Sequence, residues 1–170
     1  MIFKNFCKKN RPLVNSIMFG LFYFVFASLI NVSKSIKELF MLTMFFLPGF
    51  TFPISTLYFN LRRGLIRKLI HLTLSITIYY AVANLFTFEN QIKFITILAG
   101  LIGAFLFHLM TKFLLIKQIE IKHTILLGFI SSLAFLPYEV WGKGSVLMGF
   151  ALFSWTLING IFINQLLKKI

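Results

Sequence analysis

Residues 146–167 read VLMGFALFSWTLINGIFINQLL, a stretch of 22 residues without Lys, Arg, Asp or Glu. A helix rises about 1.5 Å per residue, so a stretch of this length crosses the roughly 30 Å hydrocarbon core of a bilayer. The two residues that follow, Lys168 and Lys169, end the stretch with positive charge. This pattern predicts a transmembrane helix.

Five further stretches of similar length also lack Lys and Arg, at residues 13–30, 39–59, 69–88, 94–111 and 124–141. They do not alternate with the period of two that barrel strands require, and a helix satisfies its own backbone hydrogen bonds in lipid. The chain is 59% hydrophobic and has a mean hydropathy of +0.90. The sequence therefore predicts an all-α polytopic membrane protein: a compact bundle of six transmembrane helices that forms a single domain over residues 1–170.

The 17 Lys and Arg residues alternate between the segments that flank these stretches. Thirteen lie before the first, between the second and third, between the fourth and fifth, and after the sixth stretch, and four lie in the other segments. Because cytoplasmic segments are enriched in Lys and Arg, this pattern predicts six crossings with both termini in the cytoplasm. The excess of Lys over Arg, 13 against 4, is compatible with an AT-rich bacterial genome. We therefore expect a bacterial cytoplasmic membrane, with an organellar membrane as the alternative.

The enrichment of Lys and Arg in the predicted cytoplasmic segments also accounts for the net charge of +13. Short basic segments beside apolar helices are typical of membrane insertion, and no basic and aromatic binding motif accompanies them, so we expect no nucleic-acid partner. The densest basic cluster comprises Arg62, Arg63, Arg67 and Lys68. These side chains either set the topology alone or also bind the anionic head groups of the lipid bilayer.

The second stretch contains the sequence FLPGFTFP at residues 46–53. Pro48 and Pro53 each remove a backbone donor and clash with the preceding turn, so we expect the second helix to be kinked or broken near the bilayer centre. Many transporters use broken helices to form binding sites at the midplane. A simple packing kink is the alternative, because prolines are also common in ordinary membrane helices.

Reactive groups are scarce in this chain. It contains no Asp, and its four acids are Glu38, Glu89, Glu120 and Glu139. The first three lie between the apolar stretches, so catalysis by paired carboxylates inside the membrane is excluded. Glu139 lies at the outer boundary, where it is either solvated, paired with Lys143, or part of the polar mouth of a cavity.

The histidines are the remaining candidates for chemistry. His71, His108 and His123 all lie near the predicted cytoplasmic boundary. Imidazole binds transition metals and titrates near neutrality, so an intramembrane enzyme that uses these histidines is one hypothesis. Their spacing specifies no ligand geometry. We therefore interpret them as interfacial side chains held by water or lipid head groups, and we expect no metal and no cofactor.

At the predicted midplane the sequence collects an uncharged layer of aromatic and hydroxyl side chains. A pocket with aromatic walls and a few polar groups is typical of a small-molecule site, and plain packing is the alternative. Ser131 and Ser132 belong to this layer. The candidate ligand-binding residues are Tyr23, Pro48, Gly49, Tyr79, Tyr80 and Trp155, with Glu139 above them.

Two functions follow from this pattern. The first is a non-enzymatic binding or transport component for a small neutral or amphiphilic molecule, which acts passively or with an energising partner because no charge is expected at depth. The second is a structural or assembly subunit that presents small residues to other membrane subunits or to a second copy of itself. The pairs Ala99 with Gly103 and Gly100 with Ala104 have the spacing that brings membrane helices close together.

Overall fold

The structure is a computed structural model that describes residues 6–7, 9–30, 33–44, 46–59, 61 and 63–169. Within these ranges the chain is helical and contains no strand. In chain order the helices are α1 (Arg11–Ser28), α2 (Lys34–Met44), α3 (Leu47–Pro53), α4 (Leu65–Leu85), α5 (Ile95–Leu114), α6 (Ile121–Ser132), α7 (Leu136–Trp141) and α8 (Ser145–Leu167). A π-helical turn (Ile54–Tyr58) follows α3, and 3₁₀ turns extend α4 (Phe86–Phe88) and join α6 to α7 (Leu133–Phe135).

Five helical segments are long and apolar enough to cross a membrane: Arg11–Ser28, Leu65–Phe88, Ile95–Leu114, Ile121–Trp141 and Ser145–Leu167. They coincide with five of the six predicted stretches and indicate a membrane-embedded, multi-pass, all-α protein. The third predicted stretch, residues 69–88, begins four residues earlier in the structure. Positive charge limits how deep a helix enters the bilayer but does not end the helix, so hydropathy alone places this boundary too late.

Residues 39–59, the second predicted stretch, fall into three consecutive pieces: the end of α2, then α3, then the π-helical turn. Pro48 lies in the first turn of α3, where its missing amide costs no helical hydrogen bond, and Pro53 is the last residue of α3. The sixth crossing and the kink at these two prolines stay predictions.

Side chains from neighbouring helices satisfy the backbone of the π-helical turn. Asn15 of α1 donates from Nδ2 to the Ser55 carbonyl at 2.6 Å, and Lys68 of α4 donates from Nζ to the Tyr58 carbonyl at 2.8 Å. The Thr56 hydroxyl donates to the Phe52 carbonyl at 2.6 Å. Irregular backbone is tolerated in a membrane protein where other parts of the protein satisfy it, as they do here.

Close contact between small residues holds α1 against α8. A methyl group on Gly160 would lie 1.9 Å from the Ser16 hydroxyl oxygen, and one on Gly149 would lie 2.7 Å from the Ala27 methyl group. Ser16 and Ala27 are fully buried. Lipid provides no hydrophobic force between helices, so this close approach lets dispersion contacts stabilise the pair.

The small residues of α5 serve the same purpose within the chain. A methyl group on Gly100 would lie 2.5 Å from the Phe135 ring, and one on Gly103 would lie 3.4 Å from Val82 of α4. Ala99 and Ala104 are fully buried. The glycines of both predicted small-residue pairs are therefore packed against other parts of this chain.

Candidate functional site

A cavity of about 480 Å³ lies between α1, α3, α4, α5 and α8. Its volume falls in the range of small-molecule sites. Eight aromatic side chains are among the residues that line it: Tyr23, Phe52, Tyr79, Phe86, Phe107, Phe135, Tyr138 and Trp155. Most of the wall is therefore apolar and aromatic.

The two ends of the cavity differ in exposure. The exposed Lys37 and Lys143 and the half-buried Glu89 line one end, which we call the mouth. The buried Ser75 and Phe107 line the other end, which we call the floor. Ser75 and Thr87 lie twelve positions apart along α4 and its 3₁₀ extension, so the cavity is about 18 Å long at a rise of roughly 1.5 Å per residue.

Beyond the floor, buried aliphatic side chains fill the space between the helices. Leu115, Ile116 and Ile119 lie between α5 and α6, are each 1% exposed, and belong to the same hydrophobic cluster as Phe107. Arg63 donates from Nε to the Leu115 carbonyl at 2.9 Å. Residues 115–119 are therefore held by burial and by this hydrogen bond. They lie between the floor and the end of the bundle that carries Arg63, Arg67 and Lys68.

Gly49 allows α3 to approach α4 beside the cavity. A methyl group on Gly49 would lie 2.8 Å from Tyr79 Cβ and 3.0 Å from the Ser75 carbonyl oxygen. Only a residue without a side chain fits at this distance. The contact brings Pro48 and Gly49 into the cavity wall next to Ser75 and Tyr79.

Hydrogen bonds fix two of the aromatic walls. Thr51 donates its hydroxyl proton to the Leu47 carbonyl at 2.8 Å, so the Tyr23 hydroxyl is the donor in its 2.7 Å bond to Thr51. Trp155 donates from Nε1 to the Gly100 carbonyl at 3.3 Å. Both rings are thus oriented by protein partners and do not need a ligand to satisfy them.

Two hydroxyls of the cavity wall lack such partners, that of Ser75 at the floor and that of Tyr79 one turn further along α4. Ser16, Thr111 and Thr156 bond the carbonyl four residues earlier in their own helices. Ser75 is 3% exposed and lines the cavity, yet it makes no hydrogen bond to the described residues, and the hydroxyl of Tyr79 makes none to them either. These two side chains are one helical turn apart and offer free donors to the cavity.

The mouth carries two ammonium groups and one carboxylate. The Tyr138 hydroxyl donates to Glu89 Oε2 at 2.6 Å, and Lys143 donates from Nζ to the backbone carbonyl of Glu89. Lys37 makes no side-chain bond to the described part of the chain. Neither lysine forms an ion pair there, since the ion pairs of the described residues lie elsewhere, at Lys34 with Glu38 and at Lys122 with Glu120.

His71 is fully buried beneath the cavity, which corrects the interpretation that it is held by water or head groups. Its Nδ1 lies 2.8 Å from the Tyr58 hydroxyl and its Nε2 lies 2.9 Å from Thr111 Oγ1. Thr111 donates its own proton to the Phe107 carbonyl, so Nε2 carries the histidine proton and Nδ1 accepts from Tyr58. A neutral imidazole thus has both nitrogens satisfied.

His108 is also fully buried, and the same interpretation is wrong for it. Asn159 donates from Nδ2 to Ser131 and to the Trp155 carbonyl, so its Oδ1 accepts from His108 Nε2 at 2.7 Å. His108 Nδ1 is left as a buried acceptor without a partner among the described residues. Only His123 is exposed, as expected of an interfacial histidine.

Five of the seven predicted ligand-binding residues line the one cavity: Tyr23, Pro48, Gly49, Tyr79 and Trp155. Tyr80 lies outside it, 45% exposed and stacked on Phe46 at 5.3 Å between ring centroids. Glu139 also lies outside the lining, and its Oε1 accepts from both the amide and the hydroxyl of Thr96. Of the three alternatives for Glu139, pairing with Lys143 is not observed, because Lys143 donates to the backbone carbonyl of Glu89. A ligand role for the five residues stays a prediction.

The basic cluster has partners inside the protein. Arg63 and Lys68 donate to the carbonyls of Leu115 and Tyr58, as described above. Arg67 is exposed, and Arg62 lies outside the described residues. Lipid binding by this cluster stays a prediction, and for Arg63 and Lys68 the contacts with carbonyls provide a separate structural role.

Several residues of the cavity were not predicted from the sequence. Ser75 lies four positions before Tyr79, so the shared helix face is visible in the sequence, but nothing there shows that this face is turned inward. Lys37, Glu89 and Lys143 come from three different segments, and only the fold brings them together. Asn159, which lies outside the cavity lining, had a clear signal, since an amide within an apolar stretch is expected to bond to a neighbouring helix.

No family model, curated protein or solved structure matches this chain. The described residues contain no group of three or more His, Cys, Asp or Glu side chains arranged to hold a metal ion. The site is an aromatic cavity with two free hydroxyls in its wall, a closed floor, and ammonium groups without ion pairs in the described residues at its exposed mouth.

Proposed function

We propose that this protein is a non-enzymatic binding or transport component of a bacterial cytoplasmic membrane, and that it holds a small neutral or amphiphilic molecule in the cavity. The observation that carries the proposal is the cavity itself, which is walled by eight aromatic side chains and closed at one end. In this proposal the chain crosses the membrane six times, residues 39–59 form an interrupted second span, both termini are cytoplasmic, and the mouth faces outward.

The charge distribution favours passive binding or an energising partner over ion coupling. The charged side chains among the cavity-lining residues are Lys37, Glu89 and Lys143, and all three lie at the mouth. Proton and sodium relays in membrane proteins use ionisable groups at depth. The histidines below the floor bond to hydroxyl and amide side chains of the bundle, so they support neither a relay nor an enzymatic role.

The assembly-subunit alternative has less support. It depends on small residues that remain available at the surface, whereas Gly100, Gly103 and Gly160 contact side chains of this chain's own helices. The cavity would serve no purpose in a purely structural subunit. Nothing observed in the fold favours a second function over ligand binding.

A matched pair of substitutions on α4 tests the proposal. Ala83 lines the cavity, whereas Ala81, on the same helix, is exposed. We expect native mass spectrometry of the protein in nanodiscs to find a small-molecule adduct on the wild type and on Ala81→Phe, and to lose it from Ala83→Phe. Equal adduct occupancy in Ala83→Phe and in the wild type contradicts the proposal. The Ala83→Leu variant fills less of the cavity and should reduce occupancy only in part.

A further inference from the structure

We infer that the ligand is an elongated amphiphile with two polar ends. An oxygen at its inner end accepts hydrogen bonds from Ser75 and Tyr79, and an anionic head group, such as a carboxylate, lies at the mouth beside Lys37 and Lys143. This inference rests on the proposed function, because it assigns a chemical class to the occupant of the same cavity.

The floor favours a ligand with a polar atom at its inner end. Ser75 makes no hydrogen bond to the described residues although a carbonyl one turn earlier was available to it, as Ser16 and Thr156 illustrate, so its hydroxyl is left to bond to whatever occupies the cavity. The Tyr79 hydroxyl is free in the same wall. The two side chains lie four positions apart on one face of α4, so both hydroxyls can donate to an oxygen at the inner end of the ligand.

The middle of the cavity requires an apolar body. Between floor and mouth the wall is formed largely by aromatic and aliphatic side chains, and Tyr23 and Trp155 already use their polar atoms in bonds to the protein. Additional polar groups in this part of a ligand would lose their water without gaining a partner. The ligand is therefore polar only at its ends.

The mouth selects an anion over a cation. Its single carboxylate, that of Glu89, already accepts from Tyr138, while the ammonium groups of Lys37 and Lys143 form no ion pair within the described residues. The nearby Glu139 is bonded by Thr96, and Lys93 lies over the Phe94 ring at 5.4 Å. The lining of the mouth thus has a net charge of about +1, which attracts a head group of charge −1.

The dimensions indicate the size of the molecule. The distance from floor to mouth is about 18 Å along α4, and the volume of about 480 Å³ admits a single chain or a narrow ring system. A two-chain phospholipid is far too large to be enclosed. A straight chain of about twelve carbons with an oxygen at each end has a similar length and serves as the probe.

The chain offers a reporter inside the site. It contains two tryptophans, of which Trp155 lines the cavity and Trp141 is 76% exposed. The Trp141→Phe protein, in nanodiscs of zwitterionic lipid, is titrated with 12-hydroxydodecanoate, dodecanoate and 1,12-dodecanediol while Trp155 emission is recorded. We expect the first compound to bind most tightly. Loss of the hydroxyl or of the carboxylate should each weaken binding roughly 3- to 10-fold, as a single net hydrogen bond or a partly screened charge would.

Substitutions assign each end of the probe. Ser75→Ala should abolish the preference for 12-hydroxydodecanoate over dodecanoate and keep the preference for the carboxylate over the diol. Lys37→Met should abolish the preference for 12-hydroxydodecanoate over the diol and keep the preference over dodecanoate. The difference between Lys37→Met and the wild type should decrease at high salt. Thr77→Ala, an exposed hydroxyl on α4, and Lys34→Met, an exposed lysine paired with Glu38, are the matched controls and should change neither preference.

Each outcome has a distinct meaning. If the three probes bind equally, or if Ser75→Ala and Lys37→Met alter affinity no more than their controls, the assignment of two polar ends is wrong, while the proposed binding function stands. If no probe changes Trp155 emission, the ligand class is also wrong. The proposed function then depends on the adduct measurement with Ala83→Phe, which does not use these probes.

Discussion

Replacing Gly160 by Ala tests the packing that holds the first and last helices together. The added methyl carbon would lie 1.9 Å from Ser16 Oγ and 2.3 Å from Ser16 Cβ, whereas ordinary contacts begin at about 3.4 Å. The helices must therefore separate locally by about 1.5 Å. Ser16 cannot move aside, because it is fully buried and its hydroxyl donates to the Pro12 carbonyl at 2.8 Å. Overpacking of this kind costs about 3 kcal/mol, or roughly a 150-fold change in the folding equilibrium.

Reversible unfolding in mixed detergent micelles measures this change in free energy. Ser16→Gly removes both clashing atoms, so the double variant Ser16→Gly/Gly160→Ala should recover most of the lost stability. Gly64→Ala is the control, since a methyl group there meets nothing within 4 Å and should cost no more than about 1 kcal/mol. The reasoning is refuted if Gly160→Ala unfolds like the wild type, or if Ser16→Gly fails to restore stability.

Two further predictions concern the mouth and the buried polar network. On a Cys7→Ser background, Met148→Cys places a thiol in the cavity lining and Phe150→Cys places one on the exposed surface. A membrane-impermeant maleimide added from outside should label the first variant and not the second. Equal labelling of the two contradicts an outward mouth. Asn159→Leu leaves His108 Nε2 without its acceptor in a buried environment. It should therefore destabilise the bundle by about 2 kcal/mol in the same unfolding assay. An unchanged or raised free energy of unfolding contradicts a stabilising role for this hydrogen bond.

The sequence predicted the helices well because hydropathy and chain length reflect the bilayer directly. The stretch 146–167 and the helix Ser145–Leu167 differ by one residue at the start. The second stretch is different. Its composition is apolar throughout, but Pro48 lies in the first turn of a helix and not in the middle of one, and residues such as Asn15 and Lys68 satisfy the backbone beyond Pro53. Such long-range bonds leave no local pattern.

The sequence predicted how deep the site residues lie along each helix but not the direction in which their side chains point. A count of residues along each span placed Tyr79 and Trp155 at one level, and both line the cavity. The same count placed Tyr80 with them, although adjacent residues on a helix point about 100° apart and Tyr80 contacts Phe46 outside the cavity. The histidines show the opposite error. Their boundary position suggested water contact, whereas His71 and His108 lie on the inward faces of α4 and α5.

The orientation of Trp155 tests the central claim most directly. In the Trp141→Phe protein, reconstituted in bilayers that contain lipids with a nitroxide at mid-chain, Trp155 should be quenched weakly, because it faces the cavity and not the lipid. Moving the only tryptophan to the exposed position of Phe150, in Trp141→Phe/Trp155→Phe/Phe150→Trp, should give strong quenching. Quenching of Trp155 as strong as that of the relocated tryptophan would mean that this side chain faces lipid, and it would contradict a binding cavity at this position.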